Sequence, residues 1–327
     1  MGKSTRPSAG RLREILRRQD PPGFGPQYQP AIRASREEAP SRSRPAWVWW
    51  QRAGRYLSTL SSVERSILMV CLYNDQLWDI HDQRMLPVLP QSHPLSGHPK
   101  AQSLILPHMR GTVEIAESLG VLPLHPTIRV PAQNGPRHVD TVPFPWIGDF
   151  LLFLEDAQGP YCVNITVKGH AGEFEESDAG AMKDSAQRRQ AKEKAFARHA
   201  VEEVLYADAG IRTMRLTQAD FDPTLIANLT HLCLWHHRKT TFSAAQQQTI
   251  LDNFRAALGQ GIPPLDVIGL LAARFHWTVY ALKTALFQAI WRRDLRVDLF
   301  SPIFLDRPLL PETRDVLAVY GAWFRRN

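Results

Sequence analysis

Apolar and polar positions alternate along the chain in a few strongly patterned segments. In ERSILMVCLYND the apolar residues are nearly continuous, and Ser61-Ser62-Val63-Glu64 stands where a helix opens, so this stretch predicts a helix buried on most sides. Asp75 to Pro90 predicts a turn and then a strand that proline ends, and Thr112 to Leu119 a short helix closed by Gly120. Phe150 to Leu154 is an uninterrupted apolar run, as expected of a strand buried on both faces. After the turn residues EDAQGP, Tyr161 to Lys168 alternates strictly. Tyr161, Val163, Ile165 and Val167 share one face of that strand, and Cys162, Asn164, Thr166 and Lys168 the other. An acidic loop, GEFEESD, then leads to a long helix from about Asp184 to Ala209, with Phe196, Ala200 and Val204 on one side. Gly210 ends it, and Ile211 to Leu216 predicts a last strand.

Beyond His236-His237-Arg238-Lys239 the pattern is helical only. Ser243 caps one helix that Gly259 closes, Pro263-Pro264 opens a second, and Thr278 caps a third. Leu295 to Leu299 alternates like a strand, so three helices and a strand predict a winged helix-turn-helix. The resulting fold class is α/β with a separate all-α or winged-helix C-terminal domain. Its boundaries are an arm of residues 1–45, a domain of 46–238 and a C-terminal domain of 239–327.

A length of 327 residues suits two such domains. Charge changes the picture at the N-terminus. Residues 1–45 hold ten Lys or Arg against four acids, which accounts for six of the seven net positive charges, and they include seven prolines. Such a segment predicts a disordered basic arm that contacts nucleic acid, with a solvated tail as the alternative. The remainder is nearly neutral. Three widely spaced cysteines (Cys71, Cys162, Cys233) predict no disulfide framework and a reducing cytoplasm. No run reaches about 18 apolar residues, and the basic N-terminus lacks the apolar stretch of a secretory leader, so neither a membrane span nor export is expected.

Candidate chemistry sits on the central hairpin. A turn symmetric about Gln158-Gly159 places Asp149 opposite Lys168 on one side of the sheet, with Thr166 beside them. A carboxylate and an ammonium at a strand end suit phosphodiester hydrolysis: the carboxylate holds a hard cation such as Mg²⁺, which acidifies a bound water, and the lysine stabilises developing charge. Glu64 is the candidate second carboxylate. Each residue also has a purely structural reading, namely an exposed ion pair for Asp149–Lys168, a helix cap for Glu64 and an ordinary strand position for Thr166.

The order of these segments resembles the TnsA family, the endonuclease subunit of heteromeric transposases. SSVERSILMVCLYNDQLWDIHDQRMLPVLP is similar to that family's Glu-bearing helix and following strand, here Asp79-Ile80-His81-Asp82-Gln83. GDFLLFLEDAQGPYCVNITVKG is similar to its hairpin with a catalytic Asp and a Gln-Val-Lys, here Asp149 and Thr166-Val167-Lys168. RRQAKEKAFARHAVEEVLYADAGIRTMRLT and AIWRRDLRVDLFSPI resemble its next helix and strand and its C-terminal domain. The resemblance covers roughly residues 58–310. It implies a restriction-endonuclease-like mixed-sheet core of the PD-(D/E)xK type with helices on both sides. Carried over by position, Glu64, Asp149 and Lys168 are catalytic, and Glu64, Asp149, Thr166 and Val167 surround Mg²⁺, for which Mn²⁺ substitutes. Thr166 stands in place of Gln, and His81-Asp82 in place of Arg-Glu. The implied activity is nicking of the 5′ ends of transposon-end DNA during cut-and-paste transposition. The implied partners are an integrase-like TnsB subunit and a regulatory TnsC-like ATPase, in a bacterial cytoplasm at the nucleoid. Gln83, Lys283, Arg292 and Arg293 are the weaker candidates for DNA or partner contact. Two other readings are a stand-alone nuclease of the same class in restriction or repair, and a catalytically weakened DNA-binding or scaffold subunit.

Overall fold

A computed structural model describes residues 7–41, 43–131, 139–174 and 185–327. Mixed α/β structure forms two compact units, one running from the arm to Arg65, through 75–220 and 323–327, the other made of 66–74 and 221–322. The expected boundary at 238/239 therefore differs from the division at 220/221. The helix between these positions packs on the last long helix of the second unit, and its Asn228 donates to the carbonyls of Leu299 and Ser301, at 2.9 Å each.

The first unit begins with α1 (Ala9–Gln19) and the β1–β2 hairpin (Ala46–Trp50, Arg55–Thr59). Helix α2 (Ser62–Tyr73) starts there, followed by β3 (Leu77–Met85) and α3 (Thr112–Ser118). A second hairpin, β4 (Thr127–Pro131) with β5 (Val139–Pro143), precedes the long strands β6 (Ile147–Asp156) and β7 (Gly159–Val167). Helix α4 (Ser185–Asp208) crosses over to β8 (Arg212–Leu216). The central sheet has the order β3-β6-β7-β8, its first three strands antiparallel and β8 parallel to β7. A helix between parallel neighbours is what that connection requires.

Strand β6 is buried through its apolar run, as that run predicts, and β7 is buried on both faces although its pattern alternates. Two details differ from expectation. The pairing runs Phe150↔Ile165 to Asp156↔Gly159, so the turn centres on Ala157-Gln158 and the register is two residues from the expected one. By continuation Asp149 faces Thr166, with Lys168 two residues farther on. The buried stripe of α4 is Ala197, Val201 and Leu205, one residue on from the expected Phe196, Ala200 and Val204, and Phe196 is 63% exposed.

The reading of residues 1–45 as a disordered arm is corrected for its described part. Ser8 accepts from the Arg11 N–H and opens α1, whose Leu12, Ile15 and Leu16 pack with Ala31, Met85, Ile128 and Phe144. The prolines shape an extended return that covers edge strand β3. Gly25 N–H donates to Asp79 at 2.7 Å, Tyr28 OH donates to the Asp82 carbonyl at 2.8 Å, and the Tyr28 ring stacks on His81 with centroids 3.9 Å apart. Part of the basic charge is paired internally. Arg18, nearly buried, donates to both Glu14 and Glu38; Arg17 and then Arg18 lower the Glu14 carboxyl to about 2, and against the effect of burial Arg18 lowers Glu38 to about 2. Residues 1–6 and Arg42, also assigned to the arm, lie outside the described residues, as does the acidic loop beyond Phe174.

In the second unit, α5 (Pro223–His236) precedes α6 (Ala244–Gln260), α7 (Pro264–Phe275), α8 (Val279–Trp291) and the short α9 (Val316–Val319). Ser243 forms a complete capping box with Gln246, and Thr278 caps α8 as expected. Gly261, in the left-handed conformation with φ +68°, closes α6 in place of Gly259. The expected strand at Leu295–Leu299 is absent among the described residues. A single bridge, Val297↔Pro311, stands there instead. Proline punctuation in FSPIFLDRPLLPE prevents a ladder, because proline lacks the donor that one needs. Among the described residues no helix is long and apolar enough to cross a membrane.

Candidate functional site

Four elements of the first unit bring the sequence-selected residues together. Glu64 occupies the first turn of α2, Gln83 lies on β3, Asp149 on β6, and Thr166-Val167-Lys168 close β7. The antiparallel ladder stops at Phe150↔Ile165. One residue beyond it, the Asp149 carboxylate accepts from the Val167 N–H at 2.7 Å and from the Thr166 hydroxyl at 3.4 Å. A side chain thus takes the place of the next backbone acceptor, and the two strand ends are clamped together. The following N–H, that of Lys168, donates outward to Leu216 on β8 at 3.0 Å.

Glu64 is buried. Its own N–H donates to Ser61 Oγ at 3.0 Å, so the helix-cap reading holds at the backbone. Its carboxylate does more, accepting from the Leu60 N–H at 2.8 Å and from Gln83 Nε2 at 3.1 Å. Gln83 is itself buried, with a left-handed backbone (φ +48°), and by continuation of the β3–β6 pairing it stands at the register position of Asp149. It orients Glu64, so Gln83, expected as a contact for DNA or a partner, is here a buried donor to that carboxylate.

The charges of the site act on one another. Burial, and after it the negative charge of Asp149, push Glu64 up to about 8, while the Leu60 N–H, the Ser61 hydroxyl and the Lys168 ammonium pull the other way. Neither Glu64 nor Asp149 forms an ion pair among the described residues, and Lys168 forms none either, so the exposed Asp149–Lys168 pair is not realised. Two acids and a lysine share one locality without neutralising each other by contact. A hard divalent cation suits that donor set, since it relieves the repulsion between the two carboxylates and takes oxygen ligands. Among the described residues no cluster of three or more His, Cys, Asp or Glu forms a metal cage, so the Val167 carbonyl and water would have to complete the shell.

A buried layer behind Asp149 escaped the sequence reading. Glu202 on α4 accepts from Asn164 Nδ2 at 3.2 Å, and its second oxygen has no hydrogen-bond partner. His199 Nδ1 lies 3.9 Å from that oxygen, and neither nitrogen of the ring has a partner. Burial raises Glu202, with Asp149 adding to the rise, whereas burial and then the charges of Arg198, Lys168 and Arg215 lower His199 to about 3. The available signal was an acid and an imidazole spaced i, i+3 beside the apolar stripe of α4.

The His199 shift predicts a pH effect. In the unfolded chain the imidazole takes a proton below about 6.5, and in the folded one only near 3. The unfolded state therefore binds the extra proton across that window, and stability present above it is lost as pH falls. Denaturant titrations at pH 7 and pH 5 should show His199→Phe flattening this loss. An equal loss in both proteins would contradict the assignment.

In the second unit, the candidate contacts are mostly engaged. Arg292 pairs with Asp294 at 2.9 Å, Arg293 pairs with Asp315, and Arg296 binds both Glu312 and Asp315. Lys283 is half-buried on α8. No family model matches the chain, and no curated protein matches it.

Proposed function

We propose that the chain is a Mg²⁺-dependent DNA endonuclease with a PD-(D/E)xK-type, restriction-endonuclease-like core, acting as a TnsA-like subunit that nicks the 5′ ends of a transposon. The observation that carries this reading is the Asp149 carboxylate clamped to the Val167 N–H and the Thr166 hydroxyl at a strand end, with the Glu64 and Lys168 charges felt at the same point. When bound, Mg²⁺ supplies an acidified water and neutralises phosphate charge. Asp149, Glu64 and the Val167 carbonyl would hold it. Gln83 fixes the Glu64 carboxylate, and the Lys168 ammonium stabilises charge that develops on the cleaved phosphate.

Thr166 contributes least. Its hydroxyl reaches Asp149 at 3.4 Å, a weak hydrogen bond, while the Val167 N–H makes the strong one. Thr166→Ala should cost no more than about threefold in cleavage rate, by loss of one marginal contact. A loss equal to that of an Asp149 variant would make Thr166 a required ligand.

In the second unit the arginines of 292–296 are neutralised by acids, so partner binding, to an integrase-like transposase or a regulatory ATPase, suits it better than sequence-selective DNA reading. Reconstitution with such subunits and transposon-end DNA, followed by mapping of the cut strands, tests the reading. Mg²⁺-dependent 5′-end nicks that need the partners support it. Nicking by the isolated chain on any duplex would favour a stand-alone nuclease.

A further inference from the structure

The first unit holds a polar cavity of about 420 Å³ between the return of the arm and the segment after β3. Arg84 lines it and is only 6% exposed. Its guanidinium donates to His81 Nδ1, yet among the described residues it forms no ion pair with any carboxylate. The buried arginines Arg18 and Arg55 show the contrast, since each is matched by an acid. A buried cation without a counter-charge costs several kcal/mol by desolvation.

The other lining groups suit an oxyanion. Gln91, Ser92, Ser96 and His108 supply polar groups around the mouth, and Phe24 with the prolines forms an apolar wall. His93 accepts from the Leu95 N–H at 3.1 Å, and its pKa falls to about 4 through burial, with the charge of Arg84 adding to the fall. Burial, and then Arg84, likewise keep His81 neutral. Asp20 is the one acid in the lining, and it is engaged by Gln91 Nε2 at 3.3 Å, not by Arg84.

We propose that this cavity binds a phosphate group, anchored by Arg84 and flanked by the hydroxyls of Ser92 and Ser96 and the imidazole of His108. Guanidinium donors match phosphate oxygens in geometry as well as charge. The volume fits a ligand of mononucleotide size, and the same chemistry would accept a phosphate of a DNA strand.

The test uses the full chain and compares Arg84→Met with Ser96→Glu, the latter an exposed position where an acid repels anions without disturbing the core. Inorganic phosphate, against chloride at equal ionic strength, should raise the melting temperature of the wild type by about 2 °C. Both variants should lose that shift, and Ser96→Glu should keep the wild-type melting temperature in chloride. Greater protection by 5′-AMP than by phosphate assigns the site to a free nucleotide. Weaker duplex binding by Ser96→Glu, with no gain from AMP, assigns it to a DNA strand. No phosphate shift in the wild type, or an equal shift in Ser96→Glu, would overturn the proposal.

Discussion

Asp149→Asn is expected to lower Mg²⁺-dependent cleavage by at least about 10³-fold while leaving the fold intact. The amide oxygen can still accept from the Val167 N–H, so the clamp between β6 and β7 survives. What disappears is the negative charge that a divalent cation needs, at the point where Glu64 alone cannot replace it. Glu64 is already buried and capped by the Leu60 N–H and Gln83. Single-turnover cleavage and a melting curve on the same preparation check both halves of the expectation. Activity within tenfold of wild type would remove Asp149 from the metal site. A collapsed melting curve would show that the charge itself holds the strands together.

Deleting residues 1–45 should abolish cooperative folding of the first unit. A solvated arm would make this deletion harmless, but the described arm contributes core. Ile15 and Tyr28 are almost wholly buried, at 1% and 3% exposure, and burying such a side chain stabilises by about 1.5–3 kcal/mol. The deletion also uncovers edge strand β3, leaving Met85 N–H without its acceptor, Gln19 Oε1, and stripping Asp79 of the Gly25 N–H. Several such losses together approach the whole stability of a typical domain, about 5–15 kcal/mol. Urea titration of the truncated chain should show no native baseline. An unchanged midpoint would return the arm to a solvated role.

The hairpin was legible because β6 carries the unbroken apolar run Phe150–Leu154 and β7 alternates strictly, so their existence did not depend on context. Register was less so. Gly159, at φ +102°, marks the first residue of β7, not the centre of the turn, and taking Gln158-Gly159 as the centre shifts the pairing by two. A shift of two keeps every side chain on its face, which is why Asp149, Thr166 and Lys168 still gather. Composition hid the arm. Its apolar stripe at Leu12, Ile15 and Leu16 was present in the sequence, but the surrounding arginines and prolines outweighed it in any average. The Arg18–Glu14 pair is an i, i+4 contact within α1, but the pairing of Arg11 and Arg18 with Glu38 is a tertiary fact. Glu202 and His199 were hidden for a related reason: burial of a charged residue is visible only once α4 is seated on the sheet.

The measurement that tests the central claim most directly is anomalous diffraction from crystals soaked in Mn²⁺. One peak held by the Asp149 and Glu64 carboxylates and the Val167 carbonyl, absent in Asp149→Asn, is the expected result. Manganese bound elsewhere on the chain at saturating concentration, with this locality empty, would contradict it.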